Sequence, residues 1–251
     1  MDQEEVLAGG NVAAQVVRIG ATVRKPVTSA TPAVEALLAY LSEVGFAGAP
    51  RHHGRDEQGR QVLEYVPGNT AHERPVPLSG PELTRVAGLI NELHEALEGF
   101  VPPVDAAWQV LMPADAPDLI GHYDLAPWNL IMNDERWVFI DWDGAGPSSR
   151  LWDLGYAAQS FVPLAAGGDP FADGARLRQF ADAYGLTEQQ REALPVHAAG
   201  RARAMSDLLT RASVTGAQPW ARLRSEGHGA YWGGAADYID LNRERWVELL
   251  S

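Results

Sequence analysis

Between residues 121 and 143 the chain reads Gly121-His122-Tyr123-Asp124-Leu125-Ala126-Pro127-Trp128-Asn129 and then, after a short interval, Val138-Phe139-Ile140-Asp141-Trp142-Asp143. Asp124 stands five residues before Asn129, and Asp141 follows Asn129 by twelve, at the end of an apolar, strand-like run. No other feature restricts the fold as much. A carboxylate, an amide and a second carboxylate in fixed order need a loop and a strand end brought to one place. Any one of them could occur by chance; the ordered set is much harder to obtain by accident.

These are the groups that phosphoryl transfer to a hydroxyl asks of a protein. One carboxylate orients the hydroxyl and accepts its proton, while an amide oxygen and a second carboxylate hold Mg²⁺ on the phosphates. The order resembles the catalytic loop of protein-kinase-like enzymes, H-x-D-x-x-x-x-N followed by a metal-binding aspartate. With Ile140-Asp141-Trp142-Asp143 in place of Asp-Phe-Gly, and with Pro147-Ser148-Ser149-Arg150-Leu151-Trp152-Asp153-Leu154-Gly155-Tyr156 downstream, the chain is similar to the aminoglycoside phosphotransferase family. The match is strong over residues 121 to 156 and weaker over the N-terminal 100; the last 95 match only in being helical.

The resemblance implies an α+β, two-lobed, protein-kinase-like fold. A small β-rich lobe with one helix (1–68) would bind nucleotide, and a larger, mainly helical lobe (69–251) would carry the catalytic loop and the acceptor. It also implies an O-phosphotransferase that uses ATP (or GTP) and Mg²⁺ on a hydroxyl of a small molecule. A cationic antibiotic such as an aminoglycoside fits, and so does an amino alcohol or a sugar. In this scheme Asp124 is the catalytic base, and Asn129 and Asp141 are the metal ligands. His122 holds the loop by hydrogen bonds. Asp143 assists a second metal or binds a substrate cation. Asp153 caps a helix beginning at Leu154 and braces the loop through backbone N–H groups. Tyr123 departs from the pattern, standing where the family more often has Gly or Asn.

The nucleotide side is less sharply drawn. The second strand should supply a cation to the phosphates, paired with a glutamate on the following helix. Arg24 and Lys25 are both candidates and point to opposite faces of a strand, so only one can line the cleft. Alignment of Val23-Arg24 favours Arg24, while Lys25 restores the usual residue at a one-residue shift. Glu35 is the natural partner. Gly9-Gly10-Asn11 could form a glycine turn whose N–H groups approach phosphate, Gly10 at its centre. Glu64-Tyr65-Val66-Pro67-Gly68 resembles a hinge at which main-chain groups near Glu64 and Val66 would read the base.

Local patterns agree with a β-rich start and a helical remainder. Asn11–Ile19 and Ala21–Val27 form a hairpin broken at Gly20. Thr31-Pro32 opens a helix whose Val34, Leu37, Leu38, Leu41 and Val44 recur at helical spacing and which stops at Gly45. A second strand pair spans Arg51–Gly54 and Gln61–Val66, and a linker runs from Pro67 to Pro81. Ser79-x-x-Glu82 is a capping box. Further helices cover Gly174–Tyr184, the segment capped by Thr187 and Gln190, and Asp237–Leu250. Trp220, Trp232 and Trp246 suit a core or a substrate floor.

The rest of the chain narrows the alternatives. A formal charge of −13 disfavours a nucleic-acid partner and suits a cationic one. No apolar run approaches the ~18 to 20 residues of a membrane span. The chain has no cysteine and an acidic N-terminus, Met1-Asp2-Gln3-Glu4-Glu5, which together point to a cytoplasmic protein. Neither G-x-G-x-x-G nor a P-loop occurs. His52-His53 and His94-Glu95 lack the neighbours a metal site needs. Asp207, Glu226, Asp237 and Asp240 are candidate contacts for ammonium groups. A protein kinase is disfavoured by the missing Ala-Pro-Glu segment, and a binding-only descendant by the intact Asp124, Asn129 and Asp141 set. Oligomeric state is left open.

Overall fold

The computed structural model describes residues 4–7, 16–74 and 77–251. Gly9, Gly10 and Asn11, with the expected glycine turn, lie outside the described residues. The first part is an antiparallel sheet of β1 (Glu5–Val6), β2 (Val17–Ile19), β3 (Thr22–Lys25), β4 (His52–Arg55) and β5 (Gln61–Glu64), in the order β1-β2-β3-β5-β4. Gly20 takes φ 59° at the β2–β3 turn, a conformation that costs glycine little. Between β3 and β4 the chain forms α1 (Thr31–Glu43), with Pro32 in its first turn and Gly45 at φ 79° just past its end. Its Val34, Leu37, Leu38 and Leu41 are buried as one face.

From residue 69 onward helices dominate. Short β6 (Asn69–Thr70) leads to α2 (Gly80–Leu97), capped as expected by Ser79 and Glu82: Ser79 N and Oγ both donate to Glu82 Oε2, at 2.7 and 2.6 Å. Four short strands follow: β7 (Leu119–Gly121), β8 (Leu130–Met132), β9 (Trp137–Phe139) and β10 (Gly146–Ser148). β8 and β9 form a hairpin joined by β6, and β10 pairs back on β7. The linker expected from Pro67 to Pro81 therefore contains a paired strand. Five helices complete the chain: α3 (Arg150–Phe161), α4 (Pro170–Tyr184), α5 (Glu188–Thr215), α6 (Trp220–Ser225) and α7 (His228–Leu250).

One apolar core runs from α1 through α2, α3, α4 and α5 to α7, with Leu37, Leu83, Ile90, Phe139, Leu154, Phe180 and Trp246 fully buried. α3 crosses α5 closely at Gly155, where a Cβ would stand 2.8 Å from Ala198 N and from the His197 carbonyl carbon. The sheet is tied to the helical part by Phe139 N donating to Gly48 O at 2.9 Å and by the Arg136–Glu64 ion pair. No helix among the described residues is long and apolar enough to cross a membrane.

Candidate active site

The spacing of the three polar residues is explained by the hairpin. Asn129 sits in a 3₁₀ turn just before β8, and Asp141 lies just past the end of β9. Ile140 N donates to Asn129 O at 2.8 Å, closing the open end of the hairpin and setting the two side by side. Asp124 precedes them in the loop leaving β7. Asn129 Nδ2 donates to Asp124 Oδ2 at 2.7 Å and to Asp124 O at 3.0 Å. The amide nitrogen is thereby committed, and its oxygen is the atom left for a cation. Burial pushes the Asp124 carboxyl above the ordinary carboxylate range.

Two non-glycine residues here adopt left-handed backbone: Tyr123 at φ 69° and Asp141 at φ 63°. Each such residue costs about 1–2 kcal/mol and persists only where its surroundings over-determine it. For Tyr123 the restraint is visible. Asp153 accepts from His122 N at 2.9 Å and from Tyr123 N at 2.7 Å, and the Tyr123 hydroxyl bonds to Pro147 O. The departure noted in the sequence is thus at a position whose backbone favours Gly or Asn.

Asp153 itself needs a correction. It does not cap a helix beginning at Leu154, because α3 starts at Arg150 and Ser149 Oγ is the cap, accepting from Trp152 N at 3.2 Å. Sitting inside the first turn, Asp153 is free to reach back to the loop. Burial alone would raise its pKa; hydrogen bonding and charge from His94, reinforced by His122, outweigh this and hold the carboxyl below its usual value. His122 is fully buried, and burial keeps its pKa below the ordinary histidine value. A neutral ring protonated at Nε2 satisfies both contacts, donating to Ile140 O at 3.1 Å and accepting at Nδ1 from Asp124 N at 3.2 Å.

Lys25, not Arg24, is the cation at this site. Its Nζ lies 2.7 Å from Asp141 Oδ1 and 2.8 Å from Asp143 Oδ2. Burial alone would lower its pKa, and the two carboxylates raise it past that. Arg24, on the opposite face, donates to Thr22 Oγ1 at 2.6 Å and stands 3.5 Å from Asp56. Glu35 is not the partner of either cation. It is held by Arg55 through two 3.0 Å contacts and faces His52 at 3.4 Å, so Asp141 and Asp143 supply the lysine's counter-charge.

At the expected hinge, Glu64 N donates to Arg51 O at 2.8 Å and Tyr65 N to Ala21 O at 2.9 Å, while the Glu64 carboxylate pairs with Arg136. Val66, just past β5, is buried against Ile131 and Val138. The proposed ammonium contacts are mostly occupied: Arg203 stands 2.5 Å from Asp240 and 3.6 Å from Asp237, and Arg222 3.1 Å from Glu226. Trp246 is core, Trp220 is partly buried, and Trp232 stacks on Tyr156 at 5.7 Å.

Three residues beside the loop went unassigned in the sequence. Tyr156 is buried with its hydroxyl toward Asp124; burial, then the Asp124 charge, pushes its pKa well up. His94 Nε2 lies 3.4 Å from Asp153, and its Nδ1 lies 2.8 Å from the Tyr184 hydroxyl. Arg201 donates to Tyr123 O at 2.8 Å. Nothing in the local sequence marks Arg201 as facing inward, because small residues surround it on every face of the helix.

Residues 81–197 match the phosphotransferase enzyme family, APH. The chain is 30% identical over 207 residues to the trifolitoxin immunity protein of Rhizobium leguminosarum bv. trifolii, covering 76% of this chain and 77% of that protein. Among solved structures, the microcompartment-associated aminopropanol kinase superposes with a TM-score of 0.67 at 14% identity, over 98% of this chain and 94% of that one. The amicoumacin kinase in complex with AMP-PNP, Ca²⁺ and Ami gives 0.66 at 13% identity, over 97% and 88%. At such identities the two structures establish the kinase-like α+β fold. With the family match and a 30% identical relative over three quarters of both chains, the chain belongs to the phosphotransferase enzyme family.

Proposed function

We propose that this enzyme transfers the γ-phosphoryl group of ATP (or GTP), with Mg²⁺, to a hydroxyl of a small cationic molecule, and that it works in the cytoplasm. The observation that carries the reading is the convergence of Asp124, Asn129 and Asp141 on one another, with Lys25 against Asp141. Among the described residues no three His, Cys, Asp or Glu side chains converge as a metal cage. Mg²⁺ does not need one: it keeps waters and takes phosphate oxygens, so the Asn129 amide oxygen and the Asp141 carboxylate suffice. When bound, the metal-nucleotide supplies the phosphoryl group and neutralises its charge. The remaining tasks belong to the chain. Lys25 offers its ammonium to the phosphates from β3. At the hinge, main-chain groups near Val66 would read the base. Residues 1–68 would form the nucleotide lobe and 69–251 the catalytic lobe.

Asp124 orients the acceptor hydroxyl. A bond forms between its oxygen and the γ-phosphorus as the bond to the bridging oxygen breaks, and the hydroxyl proton passes late to Asp124. For the acceptor's amine, aromatic faces are better placed than the paired surface acids. Trp128 is 38% exposed one residue before Asn129 and lies 6.4 Å from Tyr156, and such faces attract cations. Aminopropanol and amicoumacin kinases share the fold, which supports an amino alcohol or an antibiotic, and the immunity protein's name supports a protective role. The test is Mg²⁺-dependent ADP release from ATP, scanned across aminoglycosides, other cationic antibiotics and amino alcohols. Asp124→Ala should lose about 10²–10⁴-fold in turnover while still binding Mg²⁺-nucleotide. Wild-type turnover in that variant would sink the assignment.

A further inference from the structure

Arg201, at the middle of α5, is 1% exposed. No carboxylate among the described residues lies within ion-pair distance of it, and its Nε is buried without a partner. Burying a cation that way is costly, and apolar side chains of similar volume often fill such places at no loss of stability. The contacts Arg201 does make are with the catalytic loop and its supports. Nη2 donates to Tyr123 O at 2.8 Å, Nη1 lies 3.1 Å from Met112 Sδ, and the guanidinium sits 4.6 Å from the Tyr156 ring, 5.4 Å from Trp152 and 5.7 Å from Tyr123.

The peptide planes show what this contact does. Tyr123 is left-handed, and two peptide groups flank it. The one before it is pinned by Asp153, which accepts from Tyr123 N at 2.7 Å. The one after it consists of Tyr123 O and Asp124 N. Its N–H goes to His122 Nδ1 at 3.2 Å and its carbonyl to Arg201. Removing Arg201 leaves that second plane on one long hydrogen bond, free to turn about Tyr123 ψ and Asp124 φ while Asp153 still holds the plane before it. The same rotation would swing Asp124.

We propose that Arg201 is a positioning residue for phosphoryl transfer: by holding the Tyr123 carbonyl it fixes the Tyr123–Asp124 peptide and thereby the direction in which Asp124 meets the acceptor. This rests on Asp124 being the catalytic base. Arg201 lies beyond residues 81–197, so the family match does not reach it.

The test is amide hydrogen exchange on Arg201→Met and Arg201→Lys, with Mg²⁺-AMP-PNP affinity and ADP release from Mg²⁺-ATP with water as acceptor. Arg201→Met should exchange at least tenfold faster at the Asp124 amide, with α5 and α7 close to wild type. Nucleotide affinity should hold and ADP release should fall at least tenfold. Arg201→Lys, with a single ammonium nitrogen and no planar fork, should fall between. Wild-type exchange at that amide overturns the proposal. So does an equal acceleration throughout α5 and α7 that lysine does not repair, which marks a core filler. Should Arg201→Met not fold, Arg201→Lys alone decides: about threefold faster exchange at the Asp124 amide is expected, and no change overturns it. Asp124→Asn separates the two readings. Full ADP release in that variant removes Asp124 as base. A silent Asp124→Asn beside an unaffected Arg201→Met removes Arg201.

Discussion

Lys25 and Arg24 are adjacent in sequence and opposite in consequence. Strand alternation sends one to Asp141 and Asp143 and the other to Asp56. A one-residue slip exchanges the two faces, and nothing local in Ala21–Val27 sets the register. It is set by pairing with β5, where Lys25 faces Gln61. Lys25→Met is therefore expected to weaken Mg²⁺-nucleotide binding at least tenfold by calorimetric titration. Arg24→Met should leave it within about twofold, since a guanidinium can fork onto phosphate only from the cleft face. His122 offers a pH test. Its folded pKa is lowered by burial, so below the unfolded value of about 6.5 the unfolded chain binds the extra proton. The associated stability is complete above that pH and lost as pH falls from there towards the folded pKa. Denaturant unfolding at pH 7 and pH 5 should show a smaller difference in His122→Asn than in the wild type; equal differences would exclude this origin.

Elements were legible where their signals are local. The helix faces of α1 and α2, the Ser79–Glu82 box and the Thr187–Gln190 box all follow from spacing and caps, and the structure has them. Thr187→Ala removes an N-cap of α5, where Gln190 N donates to Thr187 Oγ1 at 3.3 Å. It should cost about 1 kcal/mol, lowering Tm by roughly 2–4 °C in a chain of this size, with turnover unchanged. A change in turnover would mean that the start of α5 is coupled to the loop. The start of α3 was misread because Ser149 and Asp153 are both good caps, and only the folded loop shows which of them is needed elsewhere. The pairing of Glu35 was misread for a similar reason: Arg55 arrives from a strand twenty residues on. Tyr156 closes the Pro147–Tyr156 stretch without a role assigned to it there, and Arg201 belongs to no motif. What marks them is burial next to Asp124, a product of α3 and α5 crossing.

At the scale of the molecule, the sheet and the helices meet at Lys25, Asp141 and Asp143, so a ligand bound there should stabilise both together. Mg²⁺-ATP at about 100 times its Kd adds roughly 2.7 kcal/mol, or roughly 5–10 °C in Tm. Asp141→Ala should abolish the Mg²⁺-dependent part of that shift in thermal unfolding. A full shift in Asp141→Ala would contradict its place as a metal ligand. The charge of −13 was informative about which partners to exclude and silent about where a cation binds, because the acids on α7 that looked available are taken by Arg203.

The close approach of α3 to α5 bears on how this sequence can drift. Every residue but glycine brings a Cβ, and at Gly155 that atom would meet backbone, which cannot rotate out of the way. In a saturation library selected for survival, position 155 should tolerate as few codons as the reacting residues themselves, although it touches no substrate. A map of mutational intolerance would then outline a helix crossing as well as a catalytic centre, and reading every intolerant site as chemistry would draw the active site too large.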